Sequence, residues 1–147
     1  MENLTDSQIE DTEVYPLISD RYKAFFIDAL VMIGFWYIFS MIFSSFDNVP
    51  KEIRFSAYLF SVWLYEPLFV SVFGASIGHY SGGMRVVRES DRTRKINIVM
   101  AIFRYAIKLL LGILSLLTIT KANKGRAIHD MVALSIVIFK DSEEKTT

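Results

Sequence analysis

The chain has 147 residues, is 52% apolar and 14% aromatic, and carries sixteen basic and sixteen acidic side chains. Zero net charge removes a general electrostatic pull toward nucleic acid, so no nucleic-acid partner is expected. The absence of Cys removes disulfides, thiolate metal sites and a Cys nucleophile.

A mean hydropathy of +0.35 beside 22% charged residues requires the charges to gather at the ends of long apolar blocks. The length fits one domain, divided into an acidic N-terminal tail (1–16), a membrane domain (17–139) and a disordered tail (140–147). The first sixteen residues hold five acids and no Lys or Arg, the opposite of a secretory leader, so no cleaved signal is expected. Tyr15-Pro16 breaks any helix, and Ser19 or Asp20 can cap the next one.

Three apolar runs follow. Ala24 to Phe46 is interrupted only by Asp28, Phe55 to Ile77 only by Glu66 and Pro67, and Ile98 to Ile119 by Arg104 and Lys108. Each is long enough, at roughly 1.5 Å per residue, to cross a bilayer core. Pro67 should kink the second run. Between the runs, 84–88 and 96–98 read as short β-strands and DRTRK (91–95) as a charged turn. Residues 127–134 read as one or two helical turns and 135–139 as a strand too short to span. No internal repeat is visible. The expected fold is an all-α membrane protein, a three-helix transmembrane bundle with short cytoplasmic β-strands near 84–88 and 135–139.

The third run leaves two readings open. If it crosses, the basic residues divide seven against seven between the two sides, and the positive-inside rule has nothing to act on. If it turns back near Gly112, the division becomes twelve against two, with both termini cytoplasmic.

Ionisable residues inside spanning runs are costly and therefore functional candidates. Counting helix rise puts Asp28 and Arg104 at about the same depth, roughly 10 Å in, and Glu66 and Lys108 deeper at roughly 16–18 Å. Depth therefore pairs Asp28 with Arg104, and Glu66 with Lys108. Asp28 and Glu66 are the candidate ion- or proton-binding carboxylates, with Arg21, Arg104 and Lys108 as charge partners. Static ion pairing that only holds the helices together is the competing reading. His79 and His129 are the only histidines and no Gly-rich phosphate loop occurs, so neither a metal site, a cofactor nor an enzymatic activity is expected.

Three segments then carry a resemblance. RYKAFFID (21–28), FGASIGHYSGGMRVV (73–87) and GRAIHDMVALSIVI (125–138) together resemble the RDD family of small bacterial membrane proteins. The residues matching its motifs are Arg21, Asp28, Gly78, His129 and Asp130, while His79 and Ser76 stand where Lys and Thr are usual. The resemblance implies a multi-pass protein of the bacterial inner membrane. It also implies possible exchange of a monovalent cation for protons, with Asp28 as the binding carboxylate, Arg21 and Arg104 lowering its pKa, and a homo-oligomer to complete any pathway. A non-transporting accessory or scaffold protein that stabilises a partner complex is the alternative.

Overall fold

The computed structural model describes residues 15–46, 48–119 and 125–140. Helix α1 (Ile18–Ser44) starts after Leu17, whose amide donates to Asp20 Oδ2 at 3.1 Å, so Asp20 satisfies one of the free N–H groups of the first turn. Helix α2 (Lys51–Phe73) runs unbroken through Pro67 and stops at Gly74, whose φ of 79° closes the helix in the left-handed conformation that glycine adopts freely. These two helices are long and apolar enough to cross a membrane.

A short helix α3 (Ile77–Ser81) leads into strand β1 (Met84–Arg88), which turns into β2 (Asp91–Lys95). Helix α4 (Ile98–Leu111) is capped by Asn97, whose side chain accepts the Met100 amide at 2.8 Å. It ends at Gly112 (φ 51°, ψ −133°), beyond which the chain forms a 3₁₀ turn over Gly112–Thr118. A second short helix, α5 (Ile128–Val132), leads into β3 (Ser135–Phe139).

Four expectations are corrected here. The all-α class gives way to a mostly helical protein with a sheet: the strands expected at 84–88 and 135–139 are present and, with a third strand, form an antiparallel sheet of order β2-β1-β3. The third apolar run is not one spanning helix: α4 has 14 residues and breaks at Gly112, so among the described residues two helices rather than three are long and apolar enough to span. The charged DRTRK segment is an edge strand, held to β1 through Val87↔Lys95 and Arg88↔Asp91 across a bulge. Residues 96–98 are the cap and first residue of α4 rather than a strand. The expected tails lie outside the described residues, apart from Tyr15, Pro16 and Lys140.

An internal repeat is also present. Each of α3–β1 and α5–β3 is a five-residue helix, a two-residue turn and a five-residue strand. The backbone matches at each corresponding point. Ser76 and Ala127 precede the helices at φ/ψ of −71°/168° and −80°/163°, and Gly82 and Ala133 follow them at −86°/8° and −86°/9°. Gly83 and Leu134 then take positive φ, 67° and 47°. The equivalent residues Val86 and Val137 pair at the centre of the β1–β3 ladder, so a local two-fold relates the units.

The sheet closes one end of the molecule. Val86 donates to Gly74 O at 2.7 Å and the Lys95 ammonium to Val72 O at 2.7 Å, tying β1 and β2 to the end of α2. Met84, Val86 and Val137 bury one face of the sheet against Ala24, Val70 and Ala101 of the helices. Val87, Ile136 and Ile138 bury the other, with Tyr15 packed against them.

Candidate functional site

Burial on the helices is inverted relative to a water-soluble protein. The buried residues of α1 are Arg21, Ala24 and Asp28, whereas Phe26 and Tyr37 stand 69% and 67% exposed. In α2 the buried set includes Glu66, with Phe55 and Phe60 outside. Apolar side chains cover the outside, and charges fill the space between α1, α2, α4 and α5.

The interior charges form one chain of ion pairs. Lys108 Nζ reaches Glu66 Oε2 at 2.5 Å and Arg104 Nη1 reaches Glu66 Oε1 at 2.9 Å, so both carboxylate oxygens are held by cations of α4. Arg104 Nε continues to Asp130 Oδ1 at 2.8 Å, and Arg21 Nη1 meets Asp130 Oδ2 at 2.5 Å. Arg21 Nη2 donates to Gly125 O at 2.7 Å. Asp130 sits in the first turn of α5, where it also accepts the Ala127 amide at 3.3 Å. It is therefore both cap and hub, joining α1, α4 and α5. Burial acts to raise its carboxyl, but the Arg21 and Arg104 charges outweigh that and hold it well below the usual range.

Asp28 is bound differently. It accepts from Tyr65 Oη at 2.7 Å, Ser76 Oγ at 2.6 Å and the Gly78 amide at 2.7 Å. The pairing of Asp28 with Arg104 expected from depth is corrected: Arg104 is taken by Glu66 and Asp130, and Arg21 by Asp130, so neither arginine is bonded to Asp28. The cation nearest in kind is His79, with Nδ1 3.9 Å from Asp28 Oδ2. Burial, reinforced by Arg104 and Lys108, holds His79 well below its ordinary value and therefore neutral at pH 7.

The hydrogen-bond count then assigns the tautomer. Ser76 spends its one proton on Asp28, so its 2.7 Å contact with His79 Nδ1 has the ring donating to the hydroxyl oxygen. The second histidine has the reverse arrangement. His129 Nδ1 lies 2.6 Å from Ser115 Oγ and its Nε2 3.5 Å from Asp130 Oδ1, so Ser115 donates and Nε2 carries the proton. Burial pushes His129 down to about 4. In both halves of the repeat the second amide of the short helix is taken from outside: Gly78 by Asp28, and His129 by Ser115 at 3.2 Å.

A cavity of about 440 Å³ opens beside this network. Asp28, Glu66, His79, Arg104, Lys108 and His129 form its polar side, and Phe25, Met32 and Leu109 its apolar side. Among the sequence candidates, Glu66, Arg104, Lys108, Arg21 and Asp130 are in one network, and Asp28 lines the same cavity. Sequence reasoning missed Tyr65 and Ser76 as partners of Asp28. Ser76 had a legible signal, since a Ser three residues before a His at a helix start is a capping arrangement. Among the described residues no group of three or more His, Asp and Glu could hold a metal ion.

Two long helices with apolar exteriors around a charged interior define a small helical protein suited to a lipid surround. The family model of the RDD family matches residues 15–134, and the chain belongs to that family of small membrane proteins. No curated protein and no solved structure matches it at a significant level.

Proposed function

We propose that this protein is a multi-pass protein of the bacterial inner membrane that binds a monovalent cation at Asp28 in exchange for a proton. The observation that carries the reading is the contrast among the buried acids. Glu66 and Asp130 are each held by two cationic side chains, whereas Asp28 is held by two hydroxyls and an amide and lines the cavity. A small cation entering there would meet the carboxylate together with the Tyr65 and Ser76 oxygens, which can turn from donors to ligands. Such hard oxygen ligands suit an alkali cation, and a proton can replace it on the same carboxylate. Glu66 sits in the same cavity as a second station, its charge offset by Arg104 and Lys108. Asp28 and Glu66 already share one space in a single copy, and a homo-oligomer would serve the rest of the path.

A second reading, an accessory protein whose charges never turn over, is favoured by their balance. Arg21, Arg104 and Lys108 against Asp28, Glu66 and Asp130 sum to zero with both histidines neutral. Neither reading is enzymatic. Ser76 gives its proton to Asp28 and takes one from His79, the wrong polarity for a serine activated by a histidine base.

The test is purified protein in proteoliposomes with an internal pH dye, challenged with sodium, lithium, potassium and choline. Cation-specific proton movement in the wild type, lost in Asp28→Asn that still inserts and folds, is the expected outcome. A flat response to every cation, in vesicles where a control exchanger works, favours the accessory reading.

A further inference from the structure

The cavity has a second property that cation exchange does not use. Its walls are the apolar faces of α1 and α4, with Ala29 and Leu109 among the residues lining it. Phe25 and Leu109 are also half exposed on the outer apolar surface, so the wall continues into the surface that faces lipid. Water filling such a wedge gains few hydrogen bonds along its walls, and an apolar chain gains contact along them. The volume of about 440 Å³ lies in the range of small-molecule sites, which are typically apolar with a few placed polar groups.

The polar end limits the head group. Glu66 and Asp130 are paired with Lys108, Arg104 and Arg21, while Asp28 is held by two hydroxyls and an amide. An anionic head would have to take Arg21, Arg104 or Lys108 from its acid and leave a buried carboxylate without its partner. Tyr22 on α1 and Tyr105 on α4 line the cavity, and among the described residues neither hydroxyl is in a hydrogen bond. Phenol hydroxyls in an apolar wedge suit an uncharged acceptor such as an ester carbonyl.

We infer that the cavity between α1 and α4 is a binding site for an uncharged amphiphile of the bilayer, one acyl chain lying along Phe25, Ala29 and Leu109 and its ester end meeting Tyr22 and Tyr105. The site goes beyond cation exchange and stands whether or not the protein transports. An occupied cavity covers Asp28, so such a lipid would also control access to it.

The probe is a diacylglycerol with a photoactivatable diazirine on one acyl chain, reconstituted with the whole protein in vesicles and read by peptide mass spectrometry. Label should concentrate on peptides carrying Phe25 and Leu109. Ala29→Trp, which fills the cavity from an exposed helix position, should lower it about tenfold. Leu30→Trp, on the outer surface of the same helix, should leave it unchanged. Tyr105→Phe keeps the shape and should weaken capture severalfold. Three results overturn the inference: label spread evenly around the helices, label indifferent to Ala29→Trp, or equal capture of a phosphatidic acid probe. Crosslinks to a second copy of the chain through the same residues overturn it in favour of a protein occupant.

Discussion

Asp130 shows most directly why single residues matter in this molecule. It is fully buried and holds Arg21 and Arg104 at once, so it joins α1 and α4 through the short helix α5. The adjacent His129 is the more revealing residue to perturb with pH. Its pKa is pushed down to about 4 by burial, against about 6.5 in an unfolded chain. The unfolded state therefore binds a proton that the folded state refuses. Stability from His129 is complete above about pH 6.5 and is lost as pH falls toward 4, and Asp130 adds a loss in the same direction below its unfolded value near 3.9. Across the histidine window the effect is roughly 3 kcal/mol. Thermal unfolding in detergent between pH 7 and pH 4 should show that slope, and His129→Gln should reduce it to the part that the likewise buried His79 contributes. A wild-type midpoint that does not move between pH 6.5 and 4 contradicts the assignment. These partners were only half legible in sequence. Helix rise gives the depth of a charge but neither its azimuth nor the reach of a residue from outside the span. Depth therefore matched Glu66 with Lys108 but sent Arg104 to Asp28, when Asp130 of α5 was the residue that reached it.

At the scale of elements, α1 and α2 were legible because each is a long apolar run without a break. The third run read the same way by length, and its break at Gly112 was only one of two readings. Strand β2 was not legible, because its five residues are mostly charged. They occupy a sheet edge, where charge costs little and discourages pairing with another chain. The repeat was hidden for a different reason: SIGHYSGG and AIHDMVAL share backbone angles rather than residue types, and only the matched caps and the central Val86↔Val137 pair expose it. Among the glycines the tightest contact between elements is that of α3 on α1. A Cβ on Gly78 would lie 2.0 Å from Ala24 O and 2.8 Å from Asp28 Cγ, whereas one on Gly34 would meet nothing within 4 Å. A backbone atom cannot swing aside, so Gly78→Ala must push the two helices apart and lengthen the Gly78–Asp28 hydrogen bond. It should cost about 3 kcal/mol or more. Gly34→Ala should be neutral or slightly stabilising, since it raises helix propensity without a clash. Comparing the two by thermal unfolding in detergent checks the claim, and equal midpoints would show that α3 is not seated on α1 in this way.

The whole molecule follows from where the sheet lies. β1 follows α2 and β3 ends the described chain, yet they pair along their full length, so both must lie on one side of any membrane the protein crosses. α1 begins at the same end, since Arg21 reaches Gly125 O and Asp130. The turn between α1 and α2 is at the other end. Helix α4 leaves from Asn97 beside the sheet, and the chain must come back to α5 beside the same sheet. Gly112, with its positive φ, is where α4 stops. This arrangement favours the reading in which the third run dips and returns, with basic residues twelve to two in favour of the sheet side. The chain has no Cys, so single cysteines can be placed freely, and the direct measurement is labelling of Lys51→Cys, Thr93→Cys and Lys140→Cys in intact cells and inverted vesicles with a membrane-impermeant maleimide. Thr93→Cys and Lys140→Cys should react from the same side, the cytoplasmic one, and Lys51→Cys from the opposite side. Reaction of Thr93→Cys and Lys140→Cys from opposite sides would mean that the third run crosses, and would contradict the fold described.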